Sequence, residues 1–339
     1  MPGAAESIDT PWCNGNTAPF GGVIHGSNPC GVARTRRILD PDPIGLQMSY
    51  RLKEDEALAP GIRRLAREQL ERALGEIKAL SHEDEGAAVF ATRKHIKRTR
   101  ALLRLVRREL GRGIFKGENR RLSGVARSFS GSRDGRVQLQ VLENLRQDAA
   151  QETGAFPETA AALRTEIANL AETFGSRREQ AGSALQQVCD RLEGWPLEDL
   201  ATGDLSRALK RTYRRGRKCF RAVLSDPATE NFHSWRKRVK DLYYQAQILR
   251  DLHPGLRDTA AGAKALSRQL GDLHDLAFFR ERLEGSLEFP ETERALLRGL
   301  ICTRERELER VALDCGARFY TEKPGVFGRR LLADAADSA

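Results

Sequence analysis

Nowhere among the 339 residues does an apolar run approach the ~20 consecutive residues that a membrane-spanning helix needs, so no helical membrane anchor is expected. The opening residues lack the charged-then-apolar layout of a secretion signal. Six cysteines (Cys13, Cys30, Cys189, Cys219, Cys302, Cys315) are scattered with no C-x-x-C pair. That argues against a zinc site or a disulfide framework and for free thiols in a reducing, cytoplasmic setting. Aromatic residues make up only 6%, with three Trp and five Tyr. Single-stranded nucleic acid is usually held on aromatic stacking platforms, so this scarcity weighs against it as a ligand. No G-x-x-x-x-G-K-[ST], H-E-x-x-H or Ca²⁺-loop pattern occurs, and no metal or cofactor is expected. His274-Asp275 is an H-D pair, but helical neighbours point about 100° apart and are badly placed to share one ion. Runs of β-branched residues are also missing, which removes the usual material of a sheet.

Positive charge is what the chain has in excess. Lys plus Arg number 57 against 47 Asp plus Glu, a net +10 with a pI near 9.5. Such a balance favours polyanionic partners: nucleic acid, acidic membranes or phosphate-rich polymers. The excess is uneven. Residues 1–47 are rich in Pro, Gly, Asn and Thr, contain no lysine, and show no helical period. They read as disordered, or as an extension ahead of a natural start at Met48. From about Lys53 onward strong helix formers dominate. Helices are expected at roughly 55–80, 86–110, 118–150, 157–193, 203–225, 229–252, 258–284 and 289–317, separated by Gly, Pro and Asp-rich breaks. The chain is therefore read as all-α, in two groups of four.

An internal repeat underlies the grouping. "TRKHIKRTRALLRL" at 92–105 parallels "WRKRVKDLYYQAQIL" at 235–249, sharing R-K-x-x-K as Arg93-Lys94-x-x-Lys97 and Arg236-Lys237-x-x-Lys240. Asp134 pairs with Asp275 at a similar offset. On a wheel beginning at Phe232, the residues His233, Arg236, Lys237 and Lys240 fall between roughly 40° and 140°. Phe232, Trp235, Val239, Leu242, Ala246 and Leu249 fall between roughly 260° and 360°, a separate apolar stripe. In the first repeat Arg93, Lys94, Lys97, Arg100, Arg104 and Arg108 share one face, with Ile96, Leu103, Val106 and Leu110 opposite. The preceding helices add Lys210, Arg214, Arg217 and Arg221 in one stripe, and Arg63 with Arg67 in a weaker one. Solvated helix faces normally mix signs and gain i, i+4 ion pairs. The faces of 93–108 and 233–240 carry no acid, so an anionic partner is the expected compensation.

In combination, the two R-K-x-x-K helices, the duplicated four-helix organisation, "YRRGR" and the ending "FYTEKPGVFGRRL" resemble the CHAD domain, the histidine α-helical domain, over about residues 48–330. The resemblance implies two pseudo-symmetric four-helix bundles, about 48–194 and 195–330, flanking a basic central channel that binds inorganic polyphosphate, with 331–339 as a tail. The fifteen residues Arg63, Arg67, Arg93, Lys94, Lys97, Arg100, Arg104, Lys210, Arg214, Arg217, Arg221, His233, Arg236, Lys237 and Lys240 are then the candidate ligands. His233 matches the histidine of the family's H-x-x-R-K-x-x-K motif. Phe90 stands at the equivalent first-repeat position, and the wheel turns His95 away from the basic face. The E-x-E-x-K strand motif of the catalytic domain that often accompanies this family is missing, so a stand-alone, non-enzymatic binder is expected, one that polyphosphate granules could recruit. Nucleic-acid binding and phosphate-chain processing remain the alternatives.

Residues 1–47 show no core-forming pattern, so removing them is expected to leave the melting temperature within about 2 °C and anion binding unchanged. A drop of several degrees in a thermal melt would give them a structural role.

Overall fold

A helix with apolar residues every three or four positions is stable only when that stripe meets another helix. A computed structural model of the chain describes residues 50–79, 85–148, 156–172, 174–253, 255–285 and 289–336. The expected N-terminal extension lies outside the described residues. Among those described there are eleven α-helices and no strand. The first group comprises α1 (Leu58–Lys78), α2 (Glu85–Leu105), α3 (Gly111–Ser128), α4 (Ser130–Asp148), α5 (Pro157–Glu172) and α6 (Phe174–Asp190). A 3₁₀ turn at Leu192–Gly194 leads to the second: α7 (Thr202–Ser225), α8 (Thr229–Leu249), α9 (Leu256–Gly285), α10 (Glu291–Phe319) and α11 (Pro324–Ala336). In the first group α3 packs on α6 and α4 on α5, so α3–α4 and α5–α6 form two legs beside α1 and α2. In the second, α8 packs between α7 and α9, α10 lies on α9, and α11 lies on α7.

Three expectations need correction. The segment 111–119 was expected to be a break, yet α3 begins at Gly111. Glycine inside a helix costs only about 1 kcal/mol relative to alanine. Ile114 and Phe115 pack on the core, Leu122 and Val125 are buried, and that burial outweighs the cost. The break comes earlier than expected: α2 ends at Leu105, a turn runs through Leu110, and α3 opens on Gly111 at φ +71°, a left-handed conformation that glycine adopts without penalty. The expected helix 118–150 also divides at Phe129, whose side chain turns into the core at 1% exposure. Finally, the tail expected at 331–339 belongs through Ala336 to α11. It is held by Phe327, stacked on Tyr213 at 4.2 Å between ring centroids. The expected helix 157–193 is described as α5 and α6, with residue 173 between them outside the description.

Both apolar stripes are buried as expected: Ile96, Leu103, Val106 and Leu110 from the first repeat, and Trp235, Val239, Leu242, Ala246 and Leu249 from the second. The two repeats meet where α2 crosses α8. Gln245 donates to the carbonyl of Ala101 at 3.1 Å, and Arg104 reaches Asp241 at 3.1 Å. Numbers rise on α2 as they fall on α8, so the two helices pair antiparallel. Tyr50 ties the same junction: its hydroxyl donates to the Arg98 carbonyl at 2.7 Å and its ring meets Tyr244 edge-on. At the far side Glu293 of α10 accepts from the backbone N–H groups of Glu158 and Thr159, capping α5 from another helix.

The second group has an aromatic centre in which Phe220 touches both Trp235 and Tyr320. Gly316 makes this approach feasible, since a Cβ there would lie 2.6 Å from the Trp235 ring and 2.7 Å from that of Phe220. Neither ring can swing aside in a filled core, so Gly316→Ala is expected to destabilise the fold by about 1–3 kcal/mol through overpacking. A lower urea midpoint at constant slope is the expected readout, and an unchanged midpoint would refute the tight contact.

Candidate functional site

Burying like charges together is costly, and a fold that does so identifies where an opposite charge is wanted. At the α2–α8 crossing four arginines from three helices surround one carboxylate. Asp241 is 8% exposed and receives Arg104 at 3.1 Å and Arg238 at 3.2 Å, with Arg100 and Arg215 also attracting it. Burial raises the pKa of Asp241, and the four arginines oppose that rise. Arg100 donates to Asn119 at 3.0 Å and is pulled down to about 10, first by burial and then by Arg104, with Arg127 adding to the repulsion. It remains charged at neutral pH. Lys237 is lowered by burial and by repulsion from Arg238, Arg236 and Arg100, the last across the junction of the two repeats. On α7 Arg211 is lowered in the same way, by burial, Arg108, Arg215 and Arg207, with Glu109 opposing.

His233 opens this face. Its ring stacks on His274 of α9 at 4.8 Å and 24°, while His274 Nδ1 lies 3.2 Å from the Asp275 carboxylate. Burial, then Lys237, His274 and Arg236, push His233 down to about 4, so it is neutral at pH 7 without a ligand. Its counterpart Phe90 is half-buried, and His95 is buried off the basic face as expected, with Nδ1 2.9 Å from Gln69 Oε1, an oxygen that Arg98 reaches at 3.5 Å.

Of the candidate ligands, Arg100, Arg104, His233, Arg236 and Lys237 are drawn together here. Lys94 and Lys97 are half-buried on the same helix, and Arg93 donates to the Ala126 carbonyl of α3. The Lys240 ammonium lies over the Tyr243 and Tyr244 rings at 5.4 and 5.3 Å. Others are engaged elsewhere. Arg63 binds Glu198 at 2.5 Å and the Trp195 carbonyl at 2.6 Å, and Arg67 binds Glu193, so both hold α1 to the connection between the groups. Lys210 lays its stem over Gly328 of α11, Arg217 donates to the Tyr320 carbonyl at 3.1 Å, and Arg214 and Arg221 are exposed. The stripe of α7 that shares the field of Asp241 and Arg108 is instead Arg211 and Arg215. The wheel alone could not choose, because α7 is basic on both flanks of its buried stripe. Arg127, Arg238 and His274 were not among the candidates, because they lie outside the basic stripes read on the wheel and only packing of α3, α8 and α9 brings them to the cations. Among the described residues no group of three His, Cys, Asp or Glu side chains could hold a metal ion.

The His233 shift fixes a pH dependence. Its pKa in the folded chain lies below the unfolded value near 6.5, so the unfolded chain binds the extra proton more readily. The contribution of His233 to stability is therefore whole above about pH 6.5 and is lost as pH falls towards 4. Denaturation midpoints measured between pH 7 and 4 are expected to fall less steeply in His233→Gln than in the parent, and identical slopes would contradict the shift.

Comparison with known proteins agrees with this architecture. The CHAD domain family model matches residues 64–284, well over half of the chain. No curated protein matches. Among solved structures the fold is similar to the crystal structure of the CHAD domain from the plant Ricinus communis, with a TM-score of 0.59 at 18% identity, covering 80% of this chain and 94% of that one. With two basic repeats meeting at one cationic junction and the family model spanning both, the chain belongs to the CHAD family.

Proposed function

We propose that the chain binds inorganic polyphosphate at the α2–α8 junction and acts as a binding module, one that polyphosphate granules could recruit, rather than as a catalyst. The observation that carries this reading is the convergence of cations from both repeats on a single carboxylate, where burial and then repulsion from neighbouring cations lower the pKa of Arg100 and of Lys237. A phosphate chain relieves that repulsion, and Arg guanidinium groups match phosphoryl oxygens as planar forks. Polyphosphate is slim enough to approach cations lodged between helices. A nucleic-acid duplex carries its phosphates on a wide cylinder and reaches exposed stripes better, so it is the second choice. Without a ligand the His233 pKa is held at about 4 by burial and the neighbouring cations. A bound polyanion raises it and makes the imidazole a charged donor. No described helix is long and apolar enough to cross a membrane.

Calorimetric competition between long-chain polyphosphate and duplex DNA at physiological salt tests this. Polyphosphate is expected to win, and affinity should fall by orders of magnitude between low and moderate salt, by analogy with counterion release from nucleic acid. Arg100→Ala and Lys237→Ala are each expected to weaken binding by about 1–3 kcal/mol, the scale of a charge-assisted hydrogen bond. A flat salt titration, or preference for DNA, would refute the reading. Phosphate release over hours with Mg²⁺ would instead favour a processing enzyme.

A further inference from the structure

A second concentration of positive charge lies at the other end of α8. From Lys237 to Arg250 is about 20 Å along the helix at 1.5 Å per residue, so it is a separate place. There a pocket of about 340 Å³ is lined by Arg51 from the segment ahead of α1, Arg250 just past α8, and Arg257 and Lys264 on α9. One carboxylate, Asp251, shares the wall. It ion-pairs with Arg51 and lies 3.9 Å from Arg250 Nε. A carboxylate in that position holds a guanidinium in place ahead of a ligand, which lowers the entropy cost of binding.

We propose that this pocket is an anion site for a compact oligophosphate of the size of tripolyphosphate. Four cations against one carboxylate leave an excess that suits several negative charges, more than one phosphate monoester supplies. The volume is at the small end of ligand pockets, enough for a few phosphoryl groups but not for a folded polymer. Ala260 and Ala261 line it, and their small side chains leave room for phosphoryl oxygens. Among the described residues its lining has no aromatic ring on which a base could stack, which disfavours nucleotides. The proposal is independent of the function assigned to the α2–α8 junction. Its ligand is either a free oligophosphate or the end of a longer chain, since both present the same terminal chemistry.

Isothermal titration of the full chain with sodium tripolyphosphate tests it. The parent is expected to show a site that Arg257→Ala/Lys264→Ala weakens at least tenfold and that Arg100→Ala/Lys237→Ala leaves intact. If the double variant melts early, Arg257→Glu alone serves, because Arg257 is exposed. Long-chain polyphosphate added to Arg100→Ala/Lys237→Ala identifies the source. Displacement of tripolyphosphate assigns the pocket to chain ends, and no displacement assigns it to the free compound. Tripolyphosphate isotherms that are the same for the parent and a folded Arg257→Ala/Lys264→Ala variant would overturn the proposal.

Discussion

Asp241 and the arginines around it depend on each other. An ionised carboxylate at 8% exposure is tolerable only with cations in contact, and Arg104 and Arg238 provide them at 3.1 and 3.2 Å. Burial, and then repulsion among the cations, lowers the pKa of Arg100 and Lys237 in turn. One negative charge among so many offsets part of that repulsion and leaves a positive surplus. The pair also spans the two repeats, with Arg104 on α2 and Asp241 on α8. The contact that fixes how the helices cross therefore also fixes how the cations converge.

A buried ion pair contributes little net stability, because desolvation cancels most of the attraction. The fold rests instead on the apolar stripes of α2 and α8, on the aromatic centre around Trp235, and on the close approach at Gly316. With stability supplied there, the charged residues are available to set register and to attract a ligand. This division of labour explains why a core of ordinary helices can hold cations at mutually unfavourable distances.

His233 belongs to the same field. Its surroundings oppose its protonation through burial, Lys237, His274 and Arg236. Those neighbouring charges are the ones a polyanion would neutralise. On the proposed function, binding and proton uptake would be coupled through Coulomb interactions, with no conformational change required.

Helix content, the two repeats and the apolar faces were legible in the sequence because they depend on spacing along one helix, and 3.6 residues per turn makes spacing sufficient. The wheel correctly separated Arg100 and Arg104 from Ile96 and Leu103, and turned His95 away from the basic face, where the structure has it beside Gln69. The start of α3 was not legible, since the glycines of 111–117 signal a break and only burial of Leu122, Val125 and their neighbours overrides them. Nor was the choice between the two basic flanks of α7. Arg211 and Arg215 share the field of Arg108 and Asp241 while Lys210 and Arg217 turn to α11 and the end of α10, because of where α2 and α11 pack. The meeting of Asp241 with Arg104 across 137 residues, and of His233 with His274, was decided by tertiary structure alone. A helix wheel gives direction around one axis, and only packing determines what lies opposite.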